Sequence, residues 1–187
     1  MTASACSDDS TSSDEVFVVG DSLTVAALTL SQEMAGRGIR LHEVDAVNGR
    51  ITEQGLDVLE EVGPALPEAV LVALGTNDVH GATEQDVERW VERARRIVGD
   101  DRRLIWVNVH VEPEKNGEEP GLARHVEFNR WLAAAADRHD VEVADWDAWA
   151  RDNDVPTKDD GVHYDPEASK ERARFYARVV DGDIDTS

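Results

Sequence analysis

The run Val16-Phe17-Val18-Val19-Gly20-Asp21-Ser22-Leu23 decides the fold. Four apolar residues without a polar break suit a strand covered on both faces. Gly20 ends the run. Ser22 follows at a turn from strand to helix, where a side chain is exposed and the helix dipole favours negative charge.

The same signature recurs outward from that run. Ile39 to Val47 reads as a second strand, Ala69 to Leu74 as a third ended by Gly75, Leu104 to Val109 as a fourth, and Val141 to Ala144 as a fifth. Helical stripes lie between them. Val87, Trp90, Val91, Ala94 and Val98 recur at spacings of three and four, after Thr83 as an N-cap. Leu122, Val126, Asn129, Leu132 and Ala136 make another stripe, with Phe128 and Trp131 expected to pack on the same helix. A last helix is expected from about Pro166, a favoured first-turn residue, to about Val180. Alternating strands and helices imply a parallel sheet sandwiched by helices. Ligands of such sheets bind beyond the carboxyl ends of the strands.

The unusual polar residues gather at that edge. Strand one ends in Gly20-Asp21-Ser22-Leu23 and strand three in Gly75-Thr76-Asn77-Asp78. The loop after strand two carries Asn48-Gly49-Arg50, and the loop before the last helix carries Asp160-Gly161-Val162-His163. A serine hydroxyl becomes a strong nucleophile only when a base takes its proton. A neutral histidine is the usual base, and a third group fixes its tautomer. Ser22, His163 and Asp160 meet those needs. Asp159 is adjacent, but the Asp-x-x-His spacing favours Asp160. A tetrahedral intermediate also needs an oxyanion hole. Asn77 offers its side-chain amide, and Ser22 and Gly49 their backbone N–H groups.

In this combination the chain resembles the SGNH hydrolases, the GDSL family of lipases, esterases and acyltransferases. The four residues that name the family fall on Ser22, Gly49, Asn77 and His163, and its acid on Asp160. The likeness runs from residue 16 to about 180. Any one block is a common tetrapeptide; four in order, each at a strand end or helix entry, are specific. The resemblance implies an α/β fold, a three-layer α/β/α sandwich on a parallel, flavodoxin-like five-stranded sheet. It also implies a serine esterase or acyltransferase that needs no cofactor and no metal. Ala144-Asp145-Trp146-Asp147-Ala148-Trp149 and Ala46-Val47-Asn48-Gly49-Arg50 resemble the SGNH domains attached to membrane acyltransferases that modify cell-wall glycans. That likeness implies a small-molecule or glycan-linked ester of a short acyl group such as acetyl. Ala168 departs from the family, which often has Gly after a Pro-Glu pair, and leaves the catalytic set intact.

Four further residues at the edge are candidates for substrate contact: Asp21, Asp78, His110 and Trp146. Each has a plainer reading. The aspartates can bond loop backbone, His110 can be structural, and Trp146, like Trp149, can be core. His42, His80, His125 and His139 read as ordinary polar positions. Two other functions compete. A metal-dependent hydrolase would use Asp78, His80, Asp159, Asp160 and His163, but lacks a spacing such as His-Glu-x-x-His and leaves Ser22 idle. A non-enzymatic module for glycans or acyl groups would be expected to lack a triad residue, and none is missing.

Composition sets the outer bounds. The 187 residues suffice for one domain. Forty acidic residues against nineteen basic ones give a formal net charge of -21. Such a surface repels nucleic-acid phosphates and anionic lipids, and its plain reading is solubility or adaptation to salt. A single cysteine, Cys6, excludes an internal disulfide. No apolar run approaches the ~20 residues that span a membrane. Residues 1–15 are rich in Ser, Thr, Asp and Ala and are expected to form a disordered tail ahead of a single domain, residues 16–187. Within that tail, Ala3-Ser4-Ala5-Cys6 and the polar run after it resemble the start of a mature bacterial lipoprotein. No hydrophobic stretch precedes Cys6 in the chain as written, so a cytoplasmic protein is the default and export the alternative.

Overall fold

The computed structural model describes residues 14–117, 124–184 and 186, so Cys6 and most of the expected tail lie outside the described residues. Five strands form one sheet: β1 (Glu15–Gly20), β2 (Arg40–Ala46), β3 (Ala69–Ala73), β4 (Arg103–Val107) and β5 (Glu142–Ala144). All pairs are parallel, and the spatial order is β2-β1-β3-β4-β5. The helices are α1 (Ser22–Val25), α2 (Leu30–Gly36), α3 (Thr52–Val62), α4 (Glu84–Val98), α5 (Pro113–Asn116), α6 (Arg124–His139), α7 (Trp146–Asp152) and α8 (Pro166–Asp181).

Strand β1 shows how the sequence feeds two cores. Successive side chains of a strand point to opposite faces. Val16 and Val18 join Leu23, Leu30, Met34, Trp146 and Phe175 on one side of the sheet. Phe17 and Val19 join Leu56, Leu59, Val91, Phe128 and Leu132 on the other. Burying each such side chain stabilises the fold by about 1.5–3 kcal/mol. The result is the three-layer α/β/α sandwich.

Local chemistry fixes the helix starts. Thr83 accepts from the Asp86 N–H over 3.2 Å and Asp86 answers the Thr83 N–H over 2.9 Å, a capping box at α4. Asp165 caps α8 ahead of Pro166, accepting from Glu167 and Ala168. Ala168 fits in this turn, buried against the core.

The structure departs from the sequence reading in four places. Glu15, assigned to the tail, opens β1 and pairs with Arg40 across the ladder. Strand β2 is an edge strand and largely exposed, because its Arg40, His42 and Glu43 stay in water. Strand β4 ends at Val107 rather than Val109, as Asn108 turns to bond Asp145 and the N–H of Asp147. The α6 stripe is rotated: His125, Phe128, Leu132, Ala135 and Ala136 are buried while Val126 is 57% exposed. Asn129 clamps both backbone groups of Val109, which turns Phe128 toward the sheet. Leu122 lies outside the described residues.

Candidate active site

Ser22 is the first residue of α1, directly beyond the carboxyl end of β1. Asp21 caps that helix, its Oδ1 accepting from the Leu23 N–H over 2.9 Å. Gly20 permits the sharp entry, since a Cβ there would sit 2.1 Å from Thr24 Oγ1.

His163 approaches from the opposite end of the chain. Its Nε2 lies 3.0 Å from Ser22 Oγ, and its Nδ1 lies 2.9 Å from Asp160 Oδ2. The other Asp160 oxygen accepts from the Val162 and His163 N–H groups, both over 2.9 Å. One carboxylate therefore shapes the turn and orients the imidazole. Burial pushes the Asp160 carboxyl up, but the His163 and Val162 N–H groups and the imidazole outweigh it, leaving a pKa of about 2. The turn is pinned from outside as well. The Lys158 backbone N–H donates to the His163 carbonyl, the Glu112 backbone N–H donates to the Gly161 carbonyl, and Thr157 bridges Tyr164. The side chains of His163 and Asp160 are 44% and 51% exposed, so the site is open.

The loop beyond β2 is tied to the end of β1, where the Val47 N–H and Arg50 both donate to the Gly20 carbonyl. Gly49 turns after β2 with φ +75°, a conformation that favours glycine. Asn77 Nδ2 donates to the Arg50 carbonyl over 3.0 Å, which uses one of its two amide hydrogens. Gly75, at φ +124°, lets the strand β3 loop pass over the Phe128 ring, which a Cβ would meet at 2.6 Å. The structure thus brings Ser22, His163 and Asp160 into one hydrogen-bonded line, with the Gly49 and Asn77 loops tied together through Arg50.

The four candidates for substrate contact are placed differently. Trp146 is 0% exposed, packed edge-on to Tyr164 and Phe175, with its indole N–H given to Tyr164 Oη over 2.9 Å. It is a core residue. His110 is buried with its ring 2.7 Å from Asp147 Oδ1, so its polarity serves the interior. Asp78 is turned to Thr52, accepting from both its N–H and its hydroxyl. Asp21, the residue before Ser22, is wholly buried and turned to the Leu23 N–H. Burial raises the pKa of both Asp21 and Asp78.

Sequence reading missed several residues. His125, read as an ordinary polar position, is buried edge-on to His110 and 3.6 Å from the same Asp147. Arg50 is buried and ties the Gly20 and Asp45 carbonyls together, besides pairing with the Asp45 carboxylate. Arg172 is buried in α8. Its signal was available: it falls on the apolar face shared by Ala168, Ala173 and Tyr176. Among the described residues no three His, Cys, Asp or Glu side chains converge to hold a metal, and Asp78 and Asp160 face separate partners.

A serine, histidine and aspartate in one hydrogen-bonded line beyond the carboxyl edge of a parallel sheet is an arrangement suited to acyl transfer. The chain belongs to the GDSL-like lipase/acylhydrolase family, whose model matches residues 18–170. It is an SGNH-type esterase or acyltransferase. A search of curated proteins finds no match. Solved structures share the fold. A lipase/acylhydrolase from Enterococcus faecalis superposes with a TM-score of 0.72 at 18% identity, covering 92% of this chain and 98% of that one. The catalytic domain of peptidoglycan O-acetyltransferase A from Streptococcus pneumoniae gives 0.68 at 18%, covering 94% and 98%. An acetyl xylan esterase from Geobacillus stearothermophilus gives 0.68 at 16%, covering 90% and 95%. Among the described residues no helix is long and apolar enough to cross a membrane.

Proposed function

We propose that this enzyme hydrolyses short-chain O-acyl esters, acetyl esters foremost, through an acyl-Ser22 intermediate. The hydrogen-bonded line Ser22–His163–Asp160 is the observation that carries this reading. His163 Nε2 takes the Ser22 proton as Oγ attacks the ester carbonyl. Asp160 holds the imidazole in the tautomer with hydrogen on Nδ1 and stabilises the imidazolium. The oxyanion is received by the Ser22 and Gly49 N–H groups and by the Asn77 amide hydrogen not given to Arg50. His163 then protonates the leaving alcohol, and water repeats the cycle in reverse to free the acid.

Transfer of the same acyl group to a glycan hydroxyl is the second reading. The open site supports it, since half-exposed His163 and Asp160 leave room for a bulky alcohol. So do the likenesses to a peptidoglycan O-acetyltransferase domain and an acetyl xylan esterase. The decisive experiment is labelling with a fluorophosphonate probe followed by mapping of the adduct. Label on Ser22, and loss of p-nitrophenyl acetate turnover in a folded Ser22→Ala variant, are the expected results. Unchanged turnover in that variant overturns the assignment. Adding a glycan acceptor then separates transfer from hydrolysis by the product formed.

A further inference from the structure

Arg172 is 2% exposed, deep in the core between the sheet and α8. A cation there is costly to bury, and an apolar side chain of similar volume often packs at least as stably. Its contacts reach both halves of the catalytic pair. The guanidinium lies 5.0 Å over the Trp146 ring and 5.2 Å over the Tyr176 ring. Its Nε donates to Tyr176 Oη over 2.7 Å, and that hydroxyl lies 3.4 Å from Thr24 Oγ1 on α1, the helix that begins with Ser22. On the other side, Trp146 donates to Tyr164 Oη, next in the chain to His163. Asp21, also wholly buried, caps α1 immediately before Ser22. Arg172 Nη1 and Asp21 Oδ2 are both buried without a hydrogen-bond partner of ordinary geometry.

We infer that Arg172 is a positioning residue for acyl transfer, setting the Ser22–His163 approach from beneath and offsetting the charge of Asp21 behind the nucleophile. The inference rests on Ser22 being the nucleophile. Attack makes an oxyanion close to Ser22, and an unbalanced carboxylate in the dry space beneath would oppose it. Arg172 supplies the balancing charge without touching substrate. Burial works against both ionised groups. The Asp21 carboxyl is pushed up by burial and drawn back by Arg172, and the guanidinium keeps its proton despite burial because Tyr176, Tyr164 and Asp21 favour the cation.

The test is a double-mutant cycle. Arg172→Met keeps the volume and removes the charge. It is expected to fold with near-native thermal stability, to lower kcat on p-nitrophenyl acetate by about 10²-fold, and to change KM little. Asp21→Asn keeps a helix cap. Combined with Arg172→Met it removes the unbalanced charge and is expected to recover kcat by roughly tenfold over Arg172→Met alone. A purely structural role predicts that the two losses add. Arg172→Lys, which keeps charge without the planar fork, is expected to fall between wild type and Arg172→Met. Wild-type kcat in folded Arg172→Met, or additive losses in the cycle, overturns the proposal. If Arg172→Met does not fold, Arg172→Lys and Tyr176→Phe decide: reduced kcat in folded variants supports it, and wild-type kcat in both overturns it. Fluorophosphonate labelling of the wild type and turnover by Ser22→Ala separate these outcomes from failure of the Ser22 assignment, because that assignment fails if Ser22 goes unlabelled or Ser22→Ala keeps its turnover, whatever Arg172 does.

Discussion

The side-chain amide of Asn77 donates to the carbonyl of Arg50 over 3.0 Å, joining the loop beyond β3 to the loop beyond β2. This bond fixes the direction of the second amide hydrogen, the one assigned to the oxyanion. Asn77→Ala removes that donor and is expected to lower kcat by about 10²–10³-fold. Steady-state kinetics on an aryl acetate checks it, with circular dichroism showing that the fold is kept. A loss confined to KM would contradict an oxyanion role.

Asp160 does two things at once, and substitution can separate them. Asparagine can still accept the Val162 and His163 N–H groups through its oxygen, but it presents N–H rather than a carboxylate to the imidazole. Asp160→Asn is therefore expected to keep the turn and still lose about 10²–10⁴-fold in kcat. Asp160→Ala should also loosen the turn, visible as faster amide exchange at Val162 and His163. The folded pKa of about 2 is depressed, so the Asp160 contribution is present above the ordinary carboxylate pKa of about 3.9 and lost as pH falls through 2. An activity profile should show no inflection from Asp160 between pH 3 and 5.

Asp147 is the shared acceptor of a buried polar cluster. It takes His110 at 2.7 Å and Arg151 at 3.0 Å, with His125 at 3.6 Å. Burial raises its pKa, but the two histidines outweigh burial and hold the carboxyl well below its ordinary range. Its stabilising effect is thus complete above the unfolded carboxylate pKa and disappears only in stronger acid. Asp147→Ala leaves buried imidazoles without their acceptor and is expected to cost about 1–3 kcal/mol in urea unfolding at neutral pH. The Ser22 adduct should form at the wild-type rate in the folded fraction. A slower rate there would make the cluster part of the site.

Gly20 has no room for a side chain. An added Cβ would lie 2.1 Å from Thr24 Oγ1 and 2.4 Å from Thr24 Cβ, and the latter cannot rotate away. Gly20→Ala should push α1 off its seat and spoil the 3.0 Å Ser22–His163 contact. A displacement of about 1 Å can cost 10²-fold, so kcat should fall by about that factor. Single-turnover acylation with an aryl acetate measures it, and an unchanged acylation rate would show that α1 tolerates the shift.

What the sequence determined by itself was local. The Thr83 cap, the Pro166 helix start and the Asp160–His163 turn each lie within one helical turn, so residue type and spacing suffice. The apolar runs of β1 and β3 announced strands covered on both faces, and the strand-helix order announced the parallel sheet. Strand order and helix rotation were another matter. Ser22 and His163 are 141 positions apart, and only the order β2-β1-β3-β4-β5 with its crossovers brings them into contact. Hydropathy marks a face as buried without naming what it meets. The structure therefore decided that Trp146 and His110 belong to the interior, that α6 turns Phe128 rather than Val126 to the sheet, and that a cation at Arg172 is buried in the core against Trp146 and Tyr176.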